Sequence, residues 1–548
     1  MALSVPQGFH SRFMKDGAQA FKGVDEAVLR NIEACNELAN QLKTAHGPAG
    51  MMKLIVNDIG KEFITADAAT ILKNLDIRHP AAKLLVMAAD AVDSTTGDGV
   101  NTTILLTCAL LDGAVELINM GLKPVEVVEG YLATYAKVEK DFPNFSIANA
   151  DDLTNKESVK NYLRAAVLSK NLSHGNLIAG LIAEACIQVN RLPYFNVDNI
   201  RIVKVPGGSI RDSLVINGMV FSRVAETDKR SVTNAKVALF ACAFDITQTE
   251  TKGTVLMSNA NELMEFSSNE EKEVERQVKD LSDNGINIVV AAGKFGDLYL
   301  HYLNKYGIMG VRLVSKFDLR RLCRMLGAPA QANICTPSLD HVGICDKVAQ
   351  SELSGQPIIT FSREGASGSI ASIVLRGPTT SLLMDIERAV DDGINTFKAL
   401  TRDNRLVGGA GAIELQIARY VTYLSTKNTT SQRFVQKLFS KAFEEIPKYI
   451  AANAGHDALA ALSLIFTEQK ASNKSVGINI FDANKPLDVM EENLFDSYLI
   501  KKRAIEVAVD AAVQILRVDQ IIMAKPAGGP NPNAARQVDP EGNDDGMA

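Results

Sequence analysis

Two glycine-rich turns far apart in the chain constrain its fold more than any other feature. The first is Gly97-Asp98-Gly99, and the second is Gly408-Gly409-Ala410-Gly411, about 310 residues later. An apolar helical pattern follows each turn, and a helix N-terminus presents unpaired N–H groups and a partial positive charge to an anion. On its own, the first turn is more typical of a polar turn before a buried helix than of a phosphate site. The repetition of such turns predicts one phosphate site built from both ends of the chain.

The first turn also carries a candidate metal ligand. Asp98 offers hard carboxylate oxygens, which suit a magnesium ion that shares the phosphate oxygens of a nucleotide. The helix after the turn predicts deep burial and therefore rigid support for a reactive site. Its apolar stripe consists of Ile104, Cys108, Leu111, Val115 and Ile118.

Length and composition are those of a soluble globular protein. The chain has 548 residues, of which 46% are apolar and 22% charged, so three or four domains are expected. The net charge of -6 does not favour a nucleic-acid partner. We see no secretory leader and no apolar run near the roughly 18 residues of a membrane span. The seven scattered cysteines are typical of reduced thiols, and we predict a cytosolic protein.

Two further carboxylates and one lysine have ordinary local explanations. Asp67 precedes an apolar helix, where aspartate is favoured as an N-cap for purely structural reasons. Asp392 lies two residues beyond Val390, about 200° round its helix from the apolar stripe, and so should face water or a ligand. A solvated acidic pair with Asp391 is the alternative. Lys170 alone resembles any surface lysine.

The middle of the chain has a different pattern. Apolar segments at 200–205, 214–220, 236–244, 286–292 and 310–314 predict strands, and helical patterns alternate with them, which favours an α/β sandwich. The polar stretch 245–283 predicts either a protruding helical arm or an ordinary surface helix. The middle of the chain would then be inserted into a domain made from both chain ends, and the two connecting segments would be natural hinges. The pattern of a P-loop ATPase does not occur.

Several motifs together resemble those of the group II chaperonins, and the resemblance extends over nearly the whole chain. They are Gly47-Pro48-Ala49-Gly50-Met51, Thr65-x-Asp67, Gly97-Asp98-Gly99, Glu387-Arg388 before Asp392, and Gly409-x-Gly411-Ala412. The resemblance implies a multidomain fold with a mostly α-helical, discontinuous equatorial ATP-binding domain, a small α/β intermediate hinge domain and an α/β apical substrate-binding domain with a helical protrusion. The implied bounds are 1–145 and 404–526 for the equatorial domain, 146–216 and 373–403 for the intermediate domain, 217–372 for the apical domain, about 246–280 for the lid protrusion, and 527–548 for a disordered tail.

The resemblance also implies roles for individual residues. Asp98 would bind Mg²⁺, and Asp392 would orient and deprotonate the attacking water with Asp67 assisting. Lys170 would reach the γ-phosphate, and Asp496 would meet the sugar or base end. The implied nucleotide-binding set is His46, Gly47, Pro48, Gly99, Val100, Asn101, Thr102, Thr103, Ser169, Lys170, Gly409, Ala410, Gly411, Gly477, Asp496 and Lys501.

The implied activity is that of an ATP-dependent molecular chaperone subunit. It would bind and hydrolyse Mg-ATP to close the lid of a cytosolic double ring, assembled with seven other paralogous subunits, around unfolded protein clients. Neither nucleic acid nor membrane is an expected partner. On helix 318–326 we predict that Arg320, Arg321 and Arg324 contact acidic or amphipathic client segments.

Some positions depart from the family pattern. Threonine is common where this chain has Val100, and glycine is common where it has Ala410. We therefore expect nucleotide binding with slow turnover that depends on Asp392. A hydrolytically weak scaffold subunit of the same ring is one alternative. A stand-alone small-molecule kinase that uses the two glycine turns is another, and it predicts a monomer or small oligomer.

Overall fold

The computed structural model describes residues 24–57, 60, 62–190, 195–246, 260–363, 370–472 and 475–521. The described residues exclude the sequence segment 8–9, part of the predicted lid protrusion at about 246–280, and the predicted tail at 527–548.

Helices account for most of the ordered chain. They follow apolar stripes of helical spacing, as the pattern predicts. They are α1 (Val24–Leu42), α2 (Ala68–Asn74), α3 (Pro80–Thr96), α4 (Val100–Asn119), α5 (Pro124–Asp141), α6 (Lys156–Leu168), α7 (Gly175–Val189), α8 (Ala260–Asp283), α9 (Asp297–Lys305), α10 (Lys316–Leu326), α11 (Thr380–Arg402), α12 (Ala412–Lys427), α13 (Gln432–Asn453), α14 (Ala458–Ser472), α15 (Val489–Glu492) and α16 (Tyr498–Leu516).

Within the described residues, the strands form four sheets. They are β1 (Lys53–Val56), β2 (Glu62–Thr65), β3 (Ala148–Asn149), β4 (Ile200–Pro206), β5 (Leu214–Phe221), β6 (Ser231–Phe240), β7 (Ile288–Ala291), β8 (Met309–Arg312), β9 (Gly343–Leu353), β10 (Gln356–Ser362), β11 (Ala371–Gly377), β12 (Arg405–Gly408), β13 (Val476–Gly477), β14 (Leu487–Asp488) and β15 (Phe495–Ser497). The largest sheet has the order β4-β11-β5-β10-β9-β6-β7-β8. The pairs β4/β11, β6/β7 and β7/β8 are parallel.

The first hydrophobic core is built from both ends of the chain. Helices α1, α3, α4 and α5 pack there against α12, α13 and α16. Helix α4 is the most apolar of these, with a mean hydropathy of 1.4 over 20 residues, so by length and composition it is a candidate membrane span. This corrects our expectation that no apolar run approaches that length. Of the apolar window of this helix, 72% is buried, and the core that surrounds the helix accounts for its composition.

Two further regions have cores of their own. The second core joins α6, α7 and α11 to one face of β4 and β11. Beyond it, alternate residues of β6 and β7 point to opposite faces of the large sheet, as strand geometry requires. One face packs against α8 and α9, and the other packs against α10. The fold is therefore predominantly helical with mixed sheet, as predicted, whereas the exact domain bounds stay predictions.

A small three-stranded sheet brings the distant chain segments together. Strand β12 pairs with β15 on one side and with β3 on the other. The turn after β12 is therefore held beside Asp496 on β15, and both lie at the junction of the first and second cores.

Candidate functional site

A cavity of about 1040 Å³ opens at the junction of the first and second cores. Its walls come from the starts of α2, α4 and α12, the end of α6, the middle of α11 and the segment 478–501. Concave cavities of several hundred to about 1000 Å³ are the usual sites for small-molecule ligands. The two glycine turns singled out in the sequence meet in this one cavity.

The first glycine turn links α3 to α4. Gly97 ends α3 at φ 70° and Gly99 precedes α4 at φ 90°, a left-handed conformation that glycine adopts without strain. A Cβ at Gly97 would collide with the Asn395 side chain, so the turn lies close against α11. Asp98 Oδ1 accepts a 2.6 Å hydrogen bond from the Gly99 amide. The N-terminus of α4 therefore faces the cavity with a carboxylate beside it.

Three charged side chains meet at one wall. The Lys170 ammonium, just beyond α6, lies 2.8 Å from Asp67 Oδ1 and 3.3 Å from Asp392 Oδ2. Asp67 also caps α2, because its Oδ2 accepts a hydrogen bond from the Thr70 amide at 3.0 Å. Arg388 of α11 contacts Thr70 and lies 3.5 Å from Asp67 Oδ2. Asp67 thus caps α2 and also pairs with two cations of the second core, Lys170 and Arg388.

The electrostatics follow from this pairing. Burial alone would raise the pKa of Asp67, but the Lys170 charge and hydrogen bonds from Lys170 and Thr70 outweigh it and hold that pKa well below its usual range. Burial opposes the charge of Lys170 as well, yet Asp392 and Asp67 hold its pKa above the ordinary lysine value. Both groups are therefore ionised at neutral pH.

Asp98 and Asp392 carry negative charge that is only partly compensated. Burial raises the pKa of both carboxyls, and Lys170 opposes this rise. The 3.3 Å contact from Lys170 does not align a hydrogen bond, so Asp392 Oδ2 has no hydrogen-bond partner among the described residues. The described residues hold no cluster of three or more metal-ligating side chains. This donor set fits Mg²⁺ held by one or two carboxylates together with substrate phosphates and waters.

The second glycine turn forms the opposite wall. Ala410 adopts φ 54°, which is uncommon for a residue with a side chain, and Gly411 directly precedes α12. Glu414 in the first turn of α12 is buried and lies 2.6 Å from the Lys501 ammonium, which also lies 3.2 Å from Asp496 Oδ2. Burial opposes the charge of Lys501, but these two carboxylates raise its pKa above the ordinary value. Lys501, Glu414 and Asp496 therefore form a charged cluster at this wall of the cavity.

The cavity is more apolar along the segment 478–481, which we call its far end. It is lined by Ile478, Ile480 and Phe481, and Phe481 is 79% exposed at the mouth. The Ile478 amide donates to the Ala410 carbonyl at 2.9 Å, which ties this segment to the second glycine turn. An aromatic ring of a ligand would bury the exposed apolar surface here.

Unpaired buried oxygens face the same space. Among the described residues, four cavity-lining side chains have a buried oxygen without a hydrogen-bond partner: Asn101 Oδ1, Asp392 Oδ2, Glu414 Oε2 and Ser497 Oγ. Buried polar atoms are normally satisfied, so such a group of atoms indicates a polar ligand.

Most residues implied by the resemblance line this cavity. Those that do are His46, Gly47, Pro48, Asp67, Asp98, Gly99, Val100, Asn101, Thr102, Ser169, Lys170, Asp392, Ala410, Gly411, Asp496 and Lys501. Thr103, Gly409 and Gly477 lie behind the lining. The Thr103 hydroxyl donates back to the Gly99 carbonyl, and Gly477 packs against Ala410.

The three arginines of α10 lie far from the cavity and are not equivalent. Arg320 is exposed. Arg321 donates to the Asp198 carbonyl and lies 3.3 Å from Asp318, whereas Arg324 donates to Asn199 at 2.6 Å. Two of the three side chains predicted to contact clients therefore bind the segment before β4 in this structure.

Sequence reasoning missed Arg388 as part of the charged wall, Glu414 as the partner of Lys501, and Phe481 at the mouth. The Glu387-Arg388 motif was visible, but nothing local connects Arg388 to Asp67. Glu414 had one local signal, a carboxylate in the first turn of a helix that opens from a glycine turn.

Comparison with known proteins agrees with these motifs. Residues 38–526 match the model of the TCP-1/cpn60 chaperonin family. The chain is 49% identical to T-complex protein 1 subunit theta of Caenorhabditis briggsae and 48% identical to that of Caenorhabditis elegans, in both cases over 100% of each chain. It is 46% identical to the human subunit of the same name over 98% of each chain. The sequence segments 8–9, 390–393 and 516–526 resemble those of theta subunits, and the comparison confirms this likeness. The chain belongs to the TCP-1/cpn60 chaperonin family.

Proposed function

We propose that this chaperonin-family chain binds and hydrolyses Mg-ATP and uses the reaction to drive protein folding. The observation that carries the proposal is the single cavity in which the N-terminus of α4, the Asp98 carboxylate and the Lys170–Asp392 pair face one another. Phosphoryl transfer to water needs charge neutralisation and an aligned water more than covalent assistance. These groups supply both.

Each residue has a definable part in such a reaction. The amides of Gly99 to Thr102 bind phosphate oxygens at the positive end of α4. Asp392 Oδ2, which lacks a hydrogen-bond partner among the described residues, accepts a proton from the attacking water. Lys170 neutralises charge on the terminal phosphate, and Asp67 keeps Lys170 in place through their 2.8 Å contact.

Asp98 would hold Mg²⁺, and Asp392 lines the same cavity. When bound, Mg²⁺ neutralises phosphate charge and orients the terminal phosphate. The two incompletely compensated carboxylates support this role.

We further infer that the first core is the equatorial domain (1–145 and 404–526), the second the intermediate domain (146–216 and 373–403), and the region beyond it the apical domain (217–372). Lys170 and Arg388 come from the second core and reach the first, so nucleotide binding changes the contacts between these two regions. Such a change at a hinge reorients the distal region and would close a lid.

We infer a cytosolic hetero-oligomeric double ring with seven paralogous subunits, because the most similar relatives described here carry the name of a T-complex subunit. Native mass measured with and without partner subunits tests this assembly. A stand-alone kinase predicts a monomer or small oligomer under both conditions.

Equilibrium binding of ATP to the full-length chain, with Mg²⁺ and with EDTA, tests the site itself. We expect saturable binding that weakens at least tenfold without Mg²⁺. Binding that does not respond to Mg²⁺ contradicts the role of Asp98. A hydrolytically weak scaffold subunit would bind ATP equally well but show no hydrolysis in a single turnover.

A further inference from the structure

Two side chains at and just beyond the C-terminal end of α13 form hydrogen bonds to segments that border the cavity, although neither side chain lines it. Asn453, the last residue of α13, donates from Nδ2 to the Lys43 carbonyl at 2.9 Å and to the His46 carbonyl at 2.8 Å. His456, three residues later, contributes Nε2 to a 3.0 Å hydrogen bond with the Ile480 carbonyl. Since a carbonyl oxygen only accepts, His456 is the donor.

A defined helix end sets the position of these two side chains. The Gly455 amide donates to the Ala452 carbonyl and the His456 amide to the Ala451 carbonyl, both at 3.0 Å, which is the Schellman pattern. Gly455 has φ 83°, as this cap requires. Asp457 then caps α14 through a 3.0 Å bond from the Leu459 amide. His456 therefore lies between two helix caps, and its backbone has little freedom.

The carbonyls that receive these hydrogen bonds belong to two separate segments of the chain that border the cavity. The Lys43 and His46 carbonyls precede Gly47, in the turn at the phosphate end of the cavity. The Ile480 carbonyl belongs to the apolar segment at the far end. That segment has further restraints. The Ile478 amide donates to the Ala410 carbonyl, and Asn479 Oδ1 accepts from the amides of Phe481 at 3.0 Å and Asp482 at 3.3 Å.

We propose that Asn453 and His456 are positioning residues for nucleotide binding, with Asn453 acting on the phosphate end and His456 on the nucleoside end. The proposal rests on the proposed ATP site. By fixing the Ile480 carbonyl, His456 holds Ile480 and Phe481 where the aromatic base of a nucleotide packs. Neither side chain lines the cavity, so each acts through the backbone that it holds.

The two ends can be tested separately because tripolyphosphate carries the phosphates of ATP without a nucleoside. Binding of Mg-ATP and of Mg-tripolyphosphate to the full-length chain is measured by displacement of a fluorescent ATP analogue. Loss of one neutral hydrogen bond corresponds to a change in affinity of about three- to tenfold. His456→Leu should weaken ATP by this factor and leave tripolyphosphate within about twofold of the wild type.

Two further variants identify the cause. His456→Gln keeps a side-chain N–H donor for the Ile480 carbonyl and should restore ATP affinity to within about twofold of the wild type. Asn453→Ala should weaken ATP and tripolyphosphate by similar factors. In turnover assays, His456→Leu should raise the KM for ATP and change kcat less than about twofold.

Several results of these binding measurements would overturn the proposal. Equal weakening of both ligands in His456→Leu shows general damage to the site and overturns the proposal, as does unchanged ATP affinity. If ATP affinity does not recover in His456→Gln, loss of the hydrogen bond to Ile480 is not the cause of the weaker binding. Weakening of ATP alone in Asn453→Ala overturns the division between the two ends. If the wild-type chain does not bind ATP, the proposed function itself fails.

Discussion

The ammonium of Lys170 lies 2.8 Å from Asp67 Oδ1 and so joins the end of α6 to the first residue before α2. More than 100 residues separate these two positions in the sequence. Both side chains are largely buried, at 12% and 14% exposed. The pair therefore connects the second core to the first at the cavity wall.

Lys170→Met should destabilise the nucleotide-free chain by about 3 kcal/mol, because it leaves Asp67 and Asp392 as buried charges with a missing partner. Denaturant unfolding at neutral pH measures this loss. Lys160→Met, on the helix α6 that precedes Lys170, is the matched control. Lys160 forms a surface pair with Glu157, which is 73% exposed, and its removal should change stability by less than about 0.5 kcal/mol. Equal effects of the two variants contradict a structural role for the Lys170–Asp67 pair.

His46 should make stability depend on pH in a defined direction. Burial, and then the charges of Lys501 and Lys170, lower the pKa of His46 from 6.5 to about 3. Between these values the unfolded chain binds a proton that the folded chain does not, so this residue lowers stability as pH falls.

In His46→Gln this contribution is absent. Between pH 7.5 and 5.5 the wild type should lose about 1 kcal/mol more stability than the variant. Unfolding curves at the two pH values measure the difference. Parallel losses in both proteins would show that His46 titrates normally in the folded chain.

The arginines of α10 should give separable effects. Arg320→Glu reverses an exposed charge, so we expect weaker crosslinking to acidic clients, with ATP hydrolysis unchanged and stability within about 0.5 kcal/mol of the wild type. Arg321→Glu also places a carboxylate beside Asp318 and removes the bond to Asp198, and should lower stability by about 2 kcal/mol. An effect of Arg320→Glu on ATP hydrolysis alone counts against a client-binding face.

Local sequence rules predicted some features of this site well. Asp67 stands at an N-cap position, and its side chain does accept from the Thr70 amide. The helix after Gly99 was predicted from its apolar stripe, and α4 is buried along it. These features depend on neighbours within one or two helical turns, which a sequence pattern records directly.

Other features depend on tertiary contacts that no local pattern records. Lys170 follows α6 with no distinguishing neighbours, yet it reaches Asp67 and Asp392. His456 bonds to Ile480, 24 residues away, only because α13 ends in a left-handed glycine. The family resemblance supplied the role of Lys170, but nothing local in the sequence connects Arg388 with Asp67, Glu414 with Lys501 or His456 with Ile480.

Val100→Thr tests whether this chain is a slow ATPase. Val100 is the first residue of α4, lines the cavity and is 5% exposed. A threonine hydroxyl at this position would add a hydrogen-bonding group near the phosphates, and we expect faster single-turnover hydrolysis by up to about tenfold with little change in ATP affinity. Val100→Ile, which adds no hydroxyl, is the control. A decrease in rate with threonine shows that the position serves the core alone.

The most direct test of the account is single-turnover hydrolysis of Mg-ATP by Asp392→Ala. The measurement is made on the full-length chain and on the complex assembled with its partner subunits. We expect ATP affinity within about threefold of the wild type and a hydrolysis rate lower by about 10²- to 10⁴-fold, as for loss of a general base. Asp391→Asn, at the exposed neighbouring position that also borders the cavity, should stay within about threefold in both measurements. Unchanged hydrolysis in Asp392→Ala would contradict the assignment of this cavity as an ATPase site.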